Sequence, residues 1–231
     1  TILGGPSYPN TGYADGFSRP PAFGSNRSIY IEDNRFLYSY RNDGAIDAYA
    51  AARLVLRFNT FVGTAFGWHG ADSGGYRGVH SIEVYRNTFN NNGVSAFAGV
   101  WRSGTGFLFD NSYSGNYQSV QLRAYRARPQ LFSPWGACDG SSPWDGNLGS
   151  GGNVQTTYPD TGFGNSGWPC LDQVGWIGDA SGMAGSTSYP AYFWGNRKDG
   201  NQLQISNYEM TAGNLQNYMV KDRDFYDEVA G

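Results

Sequence analysis

The chain is poor in charge. Only 15% of its 231 residues are Asp, Glu, Lys or Arg, and the formal net charge is −3. A nucleic-acid partner leaves a basic footprint, so this balance argues against one. Runs of like charge are absent, which argues against disorder. No apolar stretch approaches the roughly 18–20 residues of a membrane span. Helical periodicity is nearly absent too; the best stretch, Asn214 to Val229, is short and acidic. Cysteine and histidine are scarce, two of each, and no Cys-x-x-Cys spacing offers a zinc site. The excess lies in glycine, 34 residues, and in aromatic side chains, 16%. No Gly-X-Y period points to collagen, so this glycine suits a turn-rich β fold. The length predicts a single domain over residues 1–231, with room for one large loop.

One phrase recurs. It reads Ile29-Tyr-Ile-Glu-Asp-Asn34-Arg-Phe36, then Leu54-Val-Leu-Arg-Phe-Asn59-Thr-Phe61, then Ile82-Glu-Val-Tyr-Arg-Asn87-Thr-Phe89. A weaker copy follows, Gly106-Phe-Leu-Phe-Asp-Asn111-Ser-Tyr113. The asparagines are 25, 28 and 24 residues apart, a period that signals stacked supersecondary units. Inside each phrase the side chains alternate, the strand signature. Ile31, Leu56, Val84 and Leu108 fall on one face, and Glu32, Arg57, Tyr85 and Phe109 on the other. The aromatic two places after each Asn turns back toward the core. A hairpin does not suit so long a repeat. A coil that returns to the same place does, stacking like strands at roughly 4.7–4.9 Å. Asn suits the bend because it tolerates the left-handed conformation and bonds nearby backbone. Stacked Asn amides can also bond one another along the axis. The alternative is an antiparallel sandwich with Asn-rich turns.

A displaced fifth rung reads Ala191-Tyr-Phe193-Trp-Gly-Asn196, 85 residues after Asn111. The surplus places an insertion over residues 126–190, between the fourth and fifth rungs. It holds both cysteines, Cys138 and Cys170, and they read as a disulfide that staples the loop; two free thiols in a reducing compartment are the alternative. Trp135, Trp144, Trp168 and Trp176 either wall a cleft or pack the loop onto the coil. Asp139, Asp145, Asp160, Asp172 and Asp179 could hold calcium, although no Asp-x-Asp-x-Asp-Gly loop occurs. The chain starts at Thr1 with no signal peptide, the expectation for a mature secreted protein.

These rungs resemble the right-handed parallel β-helix of the pectate-lyase-like superfamily over residues 26 to 210. More narrowly, the chain is similar to a subgroup of secreted bacterial β-helix proteins with no established activity. The matching phrases are Ser28 to Phe36, Ala52 to Phe61, His69-Gly-Ala-Asp-Ser73, Arg77-Gly78, Cys138-Asp-Gly140, Trp144-Asp145, Pro169 to Gln173 and Tyr192 to Asn196. The resemblance implies an all-β right-handed parallel β-helix of about five short rungs, secretion, and a superfamily many of whose members bind, cleave or modify acidic polysaccharides. The calcium-lyase pattern, three or more acidic ligands beside a basic catalyst, is not evident in any one stretch.

Three constellations could carry chemistry. His69, Asp72 and Arg77, converging with Asp47 one rung earlier or with Arg102, could supply a base, an orienting carboxylate and a clamp for a substrate carboxylate. The structural reading has Asp72 and Ser73 satisfying loop amides. Stacked carboxylates come second: Asp33 and Asp110 are three rungs apart, too far for glycoside hydrolysis, which leaves Asp47 with Asp72 as a candidate close pair, and surface ion pairing is the plainer reading. The third is Trp101, Arg102, Arg123 and Tyr125, charge beside flat rings, which suits an acidic glycan. The sequence thus points to a secreted polysaccharide-binding protein and leaves catalysis open, as lyase or glycoside hydrolase. The competing reading is a structural or adhesive extracellular protein whose open strand edges pair with copies of itself, head to tail into filaments.

Overall fold

The computed structural model describes residues 20–38, 44–70, 77–123, 172–179, 182–208 and 219–228. Among them every regular element is a strand, and no helix is long and apolar enough to cross a membrane. The strands come in threes. The first coil holds β1 (Ile29–Glu32), β2 (Arg35–Leu37) and β3 (Ile46–Ala48); the second holds β4 (Arg53–Arg57), β5 (Thr60–Val62) and β6 (Phe66–Trp68). The third holds β7 (Ser81–Tyr85), β8 (Thr88–Ala96) and β9 (Gly99–Trp101), and the fourth β10 (Thr105–Phe109), β11 (Ser112–Tyr117) and β12 (Val120–Arg123). A small antiparallel pair follows, β13 (Trp176–Asp179) and β14 (Gly182–Ser188). The fifth coil holds β15 (Ala191–Trp194), β16 (Arg197–Lys198), β17 (Asn201–Gln202) and β18 (Ile205–Tyr208), and β19 (Phe225–Asp227) ends the series.

Like strands pair with like. The first sheet runs β1-β4-β7-β10-β15-β19, all parallel. The second runs β2-β5-β8-β11-β16, parallel, and is closed by β17 antiparallel to β16. The third runs β3-β6-β9-β12-β18, parallel. Parallel pairing between the repeated phrases rules out the antiparallel sandwich. β15 lies directly on β10, so Phe193 continues the column of Ile31, Leu56, Val84 and Leu108. Most of the expected insertion, including Cys138 and Cys170, lies outside the described residues. The C-terminal stretch with the best helical pattern instead supplies a strand, because Phe225 finds a place on the open edge of the first sheet.

The asparagines form one continuous ladder. The Asn34 N–H and Nδ2 both donate to Asn59 Oδ1 (3.0 and 3.3 Å). Asn59 does the same to Asn87 (2.9 and 3.0 Å), and Asn87 to Asn111 (3.0 and 3.0 Å). Asn111 closes the series on Asn196 (3.2 and 2.9 Å), across the insertion. Each Nδ2 also reaches back a coil: Asn59 to Ile31 O, Asn87 to Leu56 O, Asn111 to Val84 O and Asn196 to Leu108 O. The left-handed conformation sits one residue earlier than expected, at Asp33, Phe58, Arg86, Asp110 and Gly195. Four of these are not glycine, and each costs on the order of 1 kcal/mol. The corner therefore selects Asn for its buried side-chain bonds rather than for its conformational tolerance.

The core is built from columns. Phe36, Phe61, Phe89 and Tyr113 stack ring on ring, with centroids 4.7, 4.6 and 4.3 Å apart. Such pairs contribute about 0.5–1.5 kcal/mol each beyond area burial. The third sheet adds Phe66, Trp68 and Trp101, all buried. The fourth phrase has Gly106 where its equivalents carry aliphatics, and the reason is steric. Its φ is +150°, and a Cβ there would lie 1.7 Å from Ile82 O.

Candidate functional site

The outer side of the third sheet carries the convergence. Registers place Asp47 opposite Gly67, Gly67 opposite Val100, and Trp101 opposite Leu122. The residues that follow Trp68, Trp101 and Leu122 are His69, Arg102 and Arg123, so these three stack at successive levels. Gly67 and Val100 leave a low floor beside them. Together they line an open cavity of about 430 Å³, with Asp47 at one end, Arg123 at the other and Phe97 on the wall.

His69 is held from both sides. Its Nε2 lies 3.0 and 3.1 Å from the two Asp47 carboxylate oxygens. Its Nδ1 lies 3.2 Å from Arg102 Nη1. Arg102 can only donate, so Nδ1 accepts and Nε2 carries the proton that Asp47 takes. Below the ring, the Ser103 hydroxyl donates to His69 O (2.8 Å) and accepts from the Val79 N–H (2.7 Å). The His69 N–H donates to Ala48 O (2.8 Å). These bonds fix the residue in a rigid stack, while its ring stays accessible: side-chain exposure is 33% for His69 and 54% for Asp47. Arg123 lies over the Phe97 ring at 4.8 Å, and its Nε donates to Gln121 Oε1 (2.6 Å).

The arrangement makes a cationic strip along the coil axis, with Arg102 and Arg123 carried on strands one spacing apart, roughly 4.8 Å. Arg forks suit carboxylates and sulfates. His69 is an orienting donor to Asp47 as it stands.

Two of the residues singled out in the sequence sit elsewhere. Arg77 is buried, and its Nε and Nη2 make a fork with Asp172 (2.8 and 2.6 Å). Asp172 also accepts from the Gly78 N–H (2.9 Å). Arg77 therefore clamps the end of the insertion to the coil and cannot clamp a substrate. Trp101 is also fully buried, edge-on to Trp68 at 4.9 Å and to Phe193 at 5.3 Å. Alternation decides this: Arg102 points out, so Trp101 points in. Asp72 and Tyr125 lie outside the described residues, as do Trp135, Trp144 and Trp168. Trp176 is buried, its Nε1 donating to Asp224 (2.8 Å), and packs rather than walls a cleft. Among the described residues no group of three His, Cys, Asp or Glu could hold a metal ion. Asp172, one of the calcium candidates, is committed to Arg77.

Sequence reasoning expected His69 to meet Asp47 or Arg102, and the structure brings both to it; it overlooked Phe97 and Ser103. A weak signal was there. Phe66-Gly-Trp68-His69, Gly99-Val-Trp101-Arg102 and Val120-Gln-Leu122-Arg123 each end in a large apolar residue followed by a cationic or imidazole side chain. Comparison with known proteins adds nothing to this reading: no family model, no curated protein and no solved structure matches the chain.

Proposed function

We propose that the three stacked sheets are the faces of a right-handed parallel β-helix of the pectate-lyase-like kind, and that the groove at His69 binds an acidic extracellular polysaccharide. The observation that carries the reading is the strip of His69, Arg102 and Arg123, stacked at successive levels over the low floor of Gly67 and Val100. Sugar units along an extended chain repeat at roughly the spacing of stacked strands, so one rung can serve one acidic unit. The Phe97 ring beside Arg123 adds an apolar wall. Turnover, as lyase or hydrolase, would use His69 as its base, with Asp47 holding the ring and the ligand's own carboxylate releasing Arg102. Secretion is part of the same reading. The competing structural role as a head-to-tail filament is disfavoured by β17, which occupies the last edge of the second sheet antiparallel to its neighbour.

The test is affinity electrophoresis against polygalacturonate, alginate and a neutral glucan. Wild type should be retarded by an acidic polymer and ignore the neutral one. Arg102→Ala and Arg123→Ala should each weaken retardation severalfold without lowering the melting temperature. Loss of either Arg without effect, or equal retardation by the neutral polymer, would overturn the reading. New double bonds or reducing ends formed by wild type and lost in His69→Ala would add catalysis to it.

A further inference from the structure

The two ends of the stack differ. At the C-terminal end two of the three sheets carry an added strand. β19 covers β15, β17 covers β16, and residues 219–228 fold over with Met219 and Phe225 buried. Gly195 N–H there donates to Glu228 Oε2 (2.9 Å), and Arg197 pairs with the same carboxylate. At the N-terminal end β1, β2 and β3 each have, among the described residues, a strand partner on one side only. Leu37 is 62% exposed and Tyr38 45%. Ile31 and Phe36 are only partly buried, while their equivalents in the next three coils are at most 3% exposed. Among the described residues no coil lies before Asn34, and its Oδ1 receives there none of the paired N–H bonds that each later Asn receives. Phe23 and Gly24, in the described chain before β1, do not close this end. Phe23 packs on Phe107 at 4.4 Å and Gly24 N–H donates to Glu83 Oε1 (2.8 Å). Residues 23 and 24 therefore lie along the outer face of the first sheet, away from its edge.

An apolar edge of this kind pairs with something. The residue pattern around the first corner is self-complementary. We propose that two copies of this chain join end to end through a two-fold axis at the Asp33–Asn34 corner. Antiparallel pairing then lays β1 of each copy on β2 of the other. Glu32 falls opposite Arg35 of the second copy, Ile31 opposite Phe36, and Tyr30 opposite Leu37. Every pairing keeps inward residues with inward and outward with outward. The opposite charges meet directly across the seam, an arrangement that stabilises a cross-strand pair. A two-fold contact uses the same patch on both copies, so the assembly closes as a dimer and does not grow.

Sedimentation equilibrium of the full chain over a range of concentrations tests this. Wild type should show a monomer–dimer equilibrium with no larger species. Arg35→Glu places like charges across both halves of the seam and should raise the dissociation constant about tenfold or more. Its melting temperature in dilute solution should be unchanged, because Arg35 is exposed. Register is read by crosslinking. Tyr30→Cys mixed with Leu37→Cys should give an interchain disulfide on mild oxidation, and neither variant alone should. A wild type that stays monomeric at every concentration overturns the proposal. So do a dimer indifferent to Arg35→Glu, a crosslink formed by Tyr30→Cys alone, and growth to filaments.

Discussion

Replacing Asn87 by Ala tests whether the ladder holds the stack together. Asn87 is the middle of five and is 1% exposed. Its Oδ1 accepts from the N–H and Nδ2 of Asn59, and its Nδ2 reaches Leu56 O, Tyr85 O and Asn111 Oδ1. The Ala variant strips the buried Asn59 N–H of its acceptor. An orphaned buried donor costs about 1–3 kcal/mol, and each further bond lost about 1 kcal/mol. The sum is roughly 3–5 kcal/mol, a large share of the ~5–15 kcal/mol a domain holds. Urea unfolding followed by tryptophan fluorescence measures it, and the melting point should fall by on the order of 10 °C. Asn34→Ala is the control. Asn34 sits at the exposed end, where water can replace its bonds, so it should cost under ~1 kcal/mol. Asn87→Asp sharpens the case. It keeps an acceptor for Asn59 but buries a carboxylate facing two carbonyl oxygens and an amide oxygen, which pushes its pKa up. A group whose folded pKa is raised binds its proton more tightly in the native state, so this variant should regain stability as pH falls. If Asn87→Ala and Asn34→Ala cost the same, or Asn87→Ala costs under ~1 kcal/mol, the side-chain ladder is incidental and the backbone pairing alone holds the coils.

Two further outcomes follow from the same structure. Arg77→Met should destabilise by about 3–5 kcal/mol, because it leaves the Asp172 carboxylate buried and unpaired; adding Asp172→Asn, which keeps an oxygen for Gly78 N–H and tolerates the left-handed conformation, should recover part of that loss in the same unfolding assay. At the C-terminal cap, burial works to raise the Glu228 carboxyl, but the bonds from Gly195 N–H and Arg197 and the Arg197 charge outweigh it and hold it below its ordinary 4.5. Its contribution is thus full above its unfolded pKa and lost as pH falls through the folded one. Glu228→Gln should remove that part of the acid sensitivity, seen as a flatter urea midpoint between about pH 6 and 3.

The sequence alone determined the stacking. Period-two alternation and a fixed Asn offset are local patterns, and each repeat can meet the same chemistry only by lying on its neighbours. That reasoning reached the columns of Ile31, Leu56, Val84 and Leu108 and of Phe36, Phe61, Phe89 and Tyr113, and it found the fifth rung across the insertion. It also put Asp47 one rung from His69. Only the tertiary structure decided the rest. The left-handed residue stands before the Asn because the side chain, not the turn, is what the ladder needs. Arg77 looked available beside His69 in sequence, yet Asp172, 95 residues on, folds back and buries it. That His69 meets both of its expected partners, Asp47 and Arg102, at once rests on the number of residues in each loop, which no local pattern encodes and which sets which side chains share a level. Strand alternation says which way a residue points, and only the closed coil says what it points at.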